Sequence, residues 1–286
     1  MVHDPTGQLC HSLNLPKFAK RKSGPRQESI VIELRYEFQS LFVKLHLKRE
    51  DEVWLMSPNF KPRITFGNDK LLHASSYGIK IPAGLHATAV REPNYVDSAR
   101  MVSMRKDPQS HHPTSLGVTH GLTVTDFAVS FANMTSQWRQ IQKGGSAPFW
   151  QFNGGDVYLD ITITVYVLEG DRPQTNDALS RQLFAIIMGH ELLHVLDEID
   201  IVSNFMPSNV NSDDKVRKYL TDAEPVDDSM FRSWFMSDGF RNWLKDGLWA
   251  PEHNRRGGNR DSSTQYALLQ RQIDDIRIKM INRPSP

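Results

Sequence analysis

The chain has 286 residues, 39% of them hydrophobic, and balances 34 Lys+Arg against 33 Asp+Glu. That apolar share excludes wholesale disorder, and near-neutrality removes any global electrostatic reason to expect nucleic acid or an anionic membrane surface as a partner. A single cysteine, Cys10, excludes an intrachain disulfide framework and a cysteine-rich zinc site.

From the N-terminus, residues 1–28 read as a flexible basic tail, with Lys17, Lys20, Arg21, Lys22 and Arg26 set among Pro, Gly and Ser. Met1-Val2-His3-Asp4-Pro5 lacks a basic stretch leading into an apolar one, so no secretory signal is expected. No run of about 18 apolar residues predicts a membrane span. The expected location is the cytoplasm, or export without a conventional signal peptide. Residues 29–286 are expected to form the folded domain: a β-rich part over 29–120, a strand plus a helix over 121–210, and a helical part over 211–286.

Strand signals dominate 30–81. Ile30, Ile32, Leu34 and Tyr36 alternate with polar residues, as do Leu41, Val43, Leu45 and Leu47, and 53–56 is a short apolar run. The sequence leaves open whether 30–120 joins the later sheet or stands as a separate module. Residues 82–120 read as loop-rich. Within them, adjacent His111 and His112 point in different directions on any regular backbone, so they are not expected to share a metal. Residues 123–142 fit either period: Val124, Phe127, Val129 and Phe131 suit a strand, whereas Met134, Trp138 and Ile141 suit a helix.

The clearest strand covers 156–168. Val157, Leu159, Ile161, Ile163, Val165 and Val167 face one way, and Tyr158, Asp160, Thr162, Thr164 and Tyr166 the other. A helix follows, capped by Asn176 or Asp177. Leu179, Leu183, Ile186, Ile187, His190 and His194 share one face, and Phe184, Met188 and Leu192 make a second, which predicts a buried helix. Further helices are expected over 213–224, 228–245 and 262–281, with 255–261 as a polar, Gly-containing loop. Trp234, Phe235, Phe240, Trp243 and Trp249 read as core or as a lid packed on it.

The chemistry lies in His190-Glu191-Leu192-Leu193-His194. Histidines four apart stack on one helix face, so both imidazoles can take corners of one zinc tetrahedron. Glu191 then stands beside the metal, where it can take a proton from an activated water and pass it to a leaving group. This motif resembles that of the HExxH zinc metallopeptidases, the zincins. The resemblance implies one catalytic Zn2+, Glu191 as general base, and a protein or peptide substrate. It also implies an α+β, zincin-like fold, in which a twisted mixed β-sheet carries the active-site helix and a helical C-terminal subdomain closes the cleft. The strand before the helix is expected at the cleft edge, where a substrate chain can pair.

A third ligand is required, and two candidates stand. Residues 190–207 resemble the metzincin clan, in which the helix ends three positions after the second histidine and a third ligand stands six positions after it. Here those positions hold Asp197, where the clan has glycine, and Asp200, while Asn204-Phe205-Met206-Pro207 is similar to the clan's methionine turn. The metal set expected on that basis is His190, His194 and Asp200. If the helix instead continues, a later helix must supply the ligand, and Glu224 is the candidate, by resemblance to the gluzincin clan. Asp197 and Glu198 are candidate acceptors for a histidine N–H. The alternative function is a degenerate or non-peptidase zincin, acting as a binding protein or hydrolysing another substrate. Neither nucleic acid nor membrane is expected as partner, and the oligomeric state is not indicated.

Overall fold

The structure, a computed structural model, describes residues 30–37, 40–47, 58–105, 119–131, 137–141 and 148–283. The tail at 1–28, the run at 53–56 and the pair His111-His112 lie outside the described residues. The chain divides into two compact units, Met1–Trp54 and Leu55–Pro286. The β-rich stretch is therefore not one piece. In the first unit, β1 (Ile30–Glu37) pairs antiparallel with β2 (Ser40–Leu47).

The second unit is a mixed α+β body built around one long strand. Five labelled elements lead up to it: β3 (Pro58–Phe66), helix α1 (Ala74–Tyr77), β4 (Asn94–Val96), helix α2 (Ser98–Arg105) and β5 (Gly121–Phe131). A hairpin of β6 (Trp138–Ile141) and β7 (Phe149–Phe152) then leads into β8 (Gly155–Leu168). β3 and β4 run parallel to β8 along its first and last parts, and β5 runs antiparallel along nearly its whole length. A strand has two edges, so β3 and β4 share one side of β8 and β5 takes the other. β8 is thus an inner strand and not the cleft edge expected of it. Among the described residues β5 pairs only with β8, which makes β5 the edge.

The alternation in β8 becomes burial. Val157, Leu159, Ile161, Ile163 and Val167 are buried, while Tyr158, Asp160, Thr162, Thr164 and Tyr166 on the opposite face are only partly covered. Where 123–142 is described it forms strands, β5 and β6, while 132–136, with Met134, lies outside the described residues. The inward face of β5 begins with Thr123 and Thr125 and becomes apolar only at Phe127.

Helix α3 (Ala178–Asp200) packs on β5 and β8. The Asp177 carboxylate caps it by accepting from the backbone N–H of Leu179 and Ser180 at 2.9 and 3.3 Å. Its most buried stripe is Leu183, Phe184, Ile187, Met188, Glu191, Leu192 and Val195. Each fully buried Phe or Met there contributes about 1.5–3 kcal/mol by leaving water. The carboxyl of Glu191 lies within that stripe, and His190 and His194 sit on its flank.

The helix does not end near Asp197. Ile201 keeps right-handed helical angles (φ −57°, ψ −52°), the turn widens over Ile201–Phe205, and Met206–Asn209 is α-helical again. Two causes are visible. Ile201 and Val202 are fully buried, so a break would pull both out of the core. Pro207 lacks an N–H and its ring crowds the carbonyl four residues back, which a widened turn relieves. The Asn204-Phe205-Met206-Pro207 segment is consequently helix and not a methionine turn, although Met206 is buried.

From Arg217 to Trp249 the chain forms short helical turns, several of them widened in the same way, with a two-residue strand at Val226–Asp227 that pairs with β7. The helix expected over 213–224 runs from Asp214 to Thr221 and stops before Ala223 at φ 50°, and the one expected over 228–245 is interrupted by a bend at 236–238. Two longer helices close the unit, α4 (Ala250–Arg260) and α5 (Ser263–Ile281). The stretch 255–261, expected as a loop, is thus mostly helix. The aromatic cluster is core: Phe235, Phe240 and Trp249 are buried, Trp138 packs on Phe235 at 4.5 Å, and Trp249 stacks on Phe127 of β5 at 5.2 Å. Among the described residues no helix is long and apolar enough to cross a membrane.

Candidate metal centre

His190 and His194 lie one turn apart on α3, and their rings meet edge to face with Nε2 atoms 3.3 Å apart. The residue that joins them is Asp261. Its Oδ1 lies 3.0 Å from His190 Nε2 and 3.2 Å from His194 Nε2. These three donors form a group able to hold a metal ion. Asp261 is 4% exposed and occupies the junction between α4 and α5, with its backbone N–H donated to the Gly257 carbonyl at 2.8 Å.

Asp200 does not join the group. Six helical residues beyond His194 rotate it by about 240° and carry it about 9 Å along the axis. It faces α4, where it accepts from Arg256 Nη1 at 2.6 Å and from Asn204 at the same distance. Glu224 stands apart as well. It follows the end of its helix, is exposed, and pairs with Lys218 at 3.6 Å. The helix does continue past His194, as the premise attached to Glu224 requires, but the carboxylate beside the histidines is that of Asp261, just past the end of a later helix.

Asp197 and Glu198 bind elsewhere than to the histidines. Asp197 accepts both Nε and Nη2 of Arg260, at 2.7 and 3.0 Å. Glu198 is buried and accepts from Trp249 Nε1 at 3.3 Å while bonding the Nδ1 of buried His253. Arg256 adds its bond to Asp200 and a second to Glu252 at 2.7 Å. Arg255 completes the set with a bidentate pair to Glu252. Those arginine bonds, Arg255 first, hold the Glu252 carboxyl down at about 2 against the opposing effect of burial. A chain of ion pairs thus fastens α4 to α3 and brings Asp261 to the histidines. These pairs are only part-buried, so removing one partner leaves the other charge uncompensated at a cost that solvent reduces.

Glu191 is 3% exposed, and Thr123 Oγ1 donates to its Oε2 at 2.8 Å. Burial is the largest influence on its carboxyl and raises it above the ordinary range; the positive ends of His190 and His194 and the Thr123 bond act the other way. A raised carboxyl is the tuning a general base at neutral pH requires. His194 is subject to burial, which disfavours its charged form, yet the hydrogen bond and charge of Asp261, with Glu191 and Asp197 beyond, outweigh that and hold it up at about 9.

Gly121, at the start of β5, is a position where a side chain would not fit. A Cβ there would fall 2.5 Å from Glu191 Oε1 and 2.8 Å from its Cγ. The backbone of β5 comes this close only because residue 121 has no side chain, and the contact holds the carboxyl between strand and histidines. We expect Gly121→Ala to displace Glu191 and to destabilise the fold by about 1–3 kcal/mol, the usual cost of overpacking. Thermal unfolding checks the second effect. An unchanged melting temperature together with unchanged activity would show that the contact is unimportant.

Three residues of the site escape a reading by motif: Asp261, Thr123 and Gly121. Only Thr123 has a signal in the sequence, as one of two threonines, with Thr125, at the start of the inward face of a strand. Comparison with protein-family models, with curated proteins and with solved structures finds no match.

Proposed function

We propose that the chain is a zinc-dependent metallopeptidase whose ligands are His190, His194 and Asp261 and whose general base is Glu191. The observation that carries this reading is the spacing of the three donors. Ligand atoms about 2.0–2.1 Å from one tetrahedral ion stand roughly 3.3–3.4 Å apart. The two imidazole nitrogens are 3.3 Å apart, and Asp261 Oδ1, at 3.0 and 3.2 Å, needs to retreat by only a few tenths of an ångström. Two imidazoles and one carboxylate, with a fourth position open, is the donor set of a catalytic zinc, where a structural site would be closed by four protein ligands.

When bound, the ion would lower the pKa of a water and polarise a scissile carbonyl. The chain's own residues do the rest. Thr123 fixes Glu191 Oε2, so Oε1 is the oxygen left to take a proton and hand it to the leaving nitrogen. Burial keeps bulk water from competing for that proton. Asp261 sets both imidazoles with Nε2 inward. β5, with its second edge unpaired among the described residues, offers backbone N–H and C=O groups to an extended substrate chain beside Glu191. The zincin reading of the fold rests on this combination of antiparallel edge strand, motif helix and covering helices.

A competing account of the same contacts is a metal-free triad, in which Asp261 only ties the histidines together. Calorimetric titration with zinc separates the two. The proposal expects one ion per chain and a proton released on binding, because a ligating imidazole must be neutral and His194 holds its proton up to about pH 9. Apparent affinity should therefore rise with pH, by up to about tenfold per unit between pH 7 and 9, and level off above. The released proton shows as a binding enthalpy that varies with the buffer's ionisation enthalpy. No zinc uptake at pH 8 would sink the proposal.

A further inference from the structure

Outside the metal centre, a cleft of about 450 Å³ opens to solvent along the groove between α3 and α4. Its floor is His190 and Asp197, and its far wall is Arg255, Arg256, Asn259 and Arg260. That volume falls within the range of small-molecule and peptide side-chain sites. Because His190 belongs both to the candidate metal centre and to the floor of this cleft, a group seated in the cleft lies next to whatever is bound at the centre.

Three guanidinium groups line the cleft together with one carboxylate, Asp197. Their charges are balanced by Glu252, Asp200 and Asp197, so the cleft offers a ligand oriented donors in place of an unpaired charge. The other partners of these arginines, Glu252 and Asp200, do not line the cleft. The ion pairs also leave donors over. Glu252 takes Nε and Nη2 of Arg255 and Nε of Arg256, Asp200 takes Nη1 of Arg256, and Asp197 takes Nε and Nη2 of Arg260. Arg255 Nη1, Arg256 Nη2 and Arg260 Nη1 are used by none of these bonds. The carboxylates hold each guanidinium in place, so a ligand finds the donors already oriented and loses little entropy in engaging them.

We propose that this cleft binds a carboxylate of the peptide substrate, so that the centre acts on peptides carrying a negative charge beside the scissile bond. The inference rests on the peptidase reading of the centre and names its substrate class. The unused guanidinium N–H donors match a planar carboxylate by charge-assisted hydrogen bonds with both partners ionised, which a neutral or cationic side chain cannot supply. The carboxylate has two sources in a peptide, an acidic side chain or a free C-terminus.

The test uses the full chain as the Glu191→Gln variant, loaded with zinc so that it binds without turnover. Three matched peptides are titrated: a neutral one with an amidated C-terminus, the same peptide with an internal Glu, and the neutral sequence with a free C-terminus. At least one carboxylate peptide should bind about tenfold or more tightly than the neutral amide at low salt, and the advantage should shrink as salt is added. Which of the two does so identifies the source. Arg255, with 60% of its side chain exposed, is the arginine least engaged in holding α4. Arg255→Gln should erase most of the advantage, and Arg255→Lys should retain part, since it keeps the charge and loses the fork. Equal binding of all three peptides, or an advantage that Arg255→Gln leaves intact, would overturn the inference. The two readings fail differently. Carboxylate preference in a protein that cleaves no peptide overturns the peptidase reading and leaves the cleft standing; peptide cleavage without that preference does the reverse.

Discussion

Replacing Glu191 by Gln is expected to leave zinc binding intact and to reduce peptide hydrolysis by about 10²–10⁴-fold, the range attributed to a lost general base. The amide is isosteric, so it still accepts the Thr123 hydrogen bond through its oxygen and still fits against Gly121. What it cannot do is take a proton. The effect should fall on kcat more than on KM, because the proton moves in the transition state and not on binding. Zinc content per chain and steady-state hydrolysis of a peptide mixture are the two measurements. Retained hydrolysis would remove Glu191 from the chemistry. Parallel loss of zinc would mean that the variant had perturbed the ligands instead.

The second large effect separates two aspartates. Asp261→Ala should weaken zinc binding by about 10²–10³-fold. Structural zinc binds its four ligands with roughly 10–16 kcal/mol in all, which is about 2.5–4 kcal/mol per ligand. Asp200→Ala should leave zinc affinity within a few-fold of the parent, because Asp200 reaches the centre only through Arg256, which Glu252 also holds. Competition against a chromophoric chelator measures both. If the Asp200 variant loses zinc and the Asp261 variant keeps it, the centre has been assigned to the wrong carboxylate.

The contrast between these residues shows where sequence patterns stop being informative. α3 and β8 are legible because their stability comes from apolar burial, and apolar burial leaves a period. Leu183, Phe184, Ile187 and Met188 recur at helical spacing, and Val157 through Ile163 alternate, for the same physical reason. The attachment of α4 is different in kind. It is held by Arg256 and Arg260 against Asp200 and Asp197, and by His253 and Trp249 against Glu198. Charged residues at those positions read as a solvated loop, and Gly257-Gly258 each lower helix propensity by about 1 kcal/mol, which strengthens the misreading. Asp261 stands at the end of that helix and was hidden with it. Asp200 is the ligand expected from the likeness of Asn204-Phe205-Met206-Pro207 to a methionine turn, an arrangement that needs the helix to end near Asp197. The fold is decided there instead by Ile201 and Val202, whose place is in the core. Residues 123–142 offer both periods, and strand pairing chooses between them where they are described: the long-range pairing with β8 for β5 and the hairpin with β7 for β6.

One consequence of Asp261's position concerns the chain as a thread. His194 and Asp261 are 67 residues apart in sequence. An ion held by both would act as a stitch, closing a loop of that length and removing from the unfolded chain a freedom that grows with the logarithm of the span, on the order of 4 kcal/mol by analogy with a covalent cross-link. Nearly everything between α3 and α5 lies inside the stitch, including the interrupted turns from Arg217 to Trp249. For this chain, metal supply would thus be a condition of assembly for its C-terminal third, and not only of reactivity at a finished site.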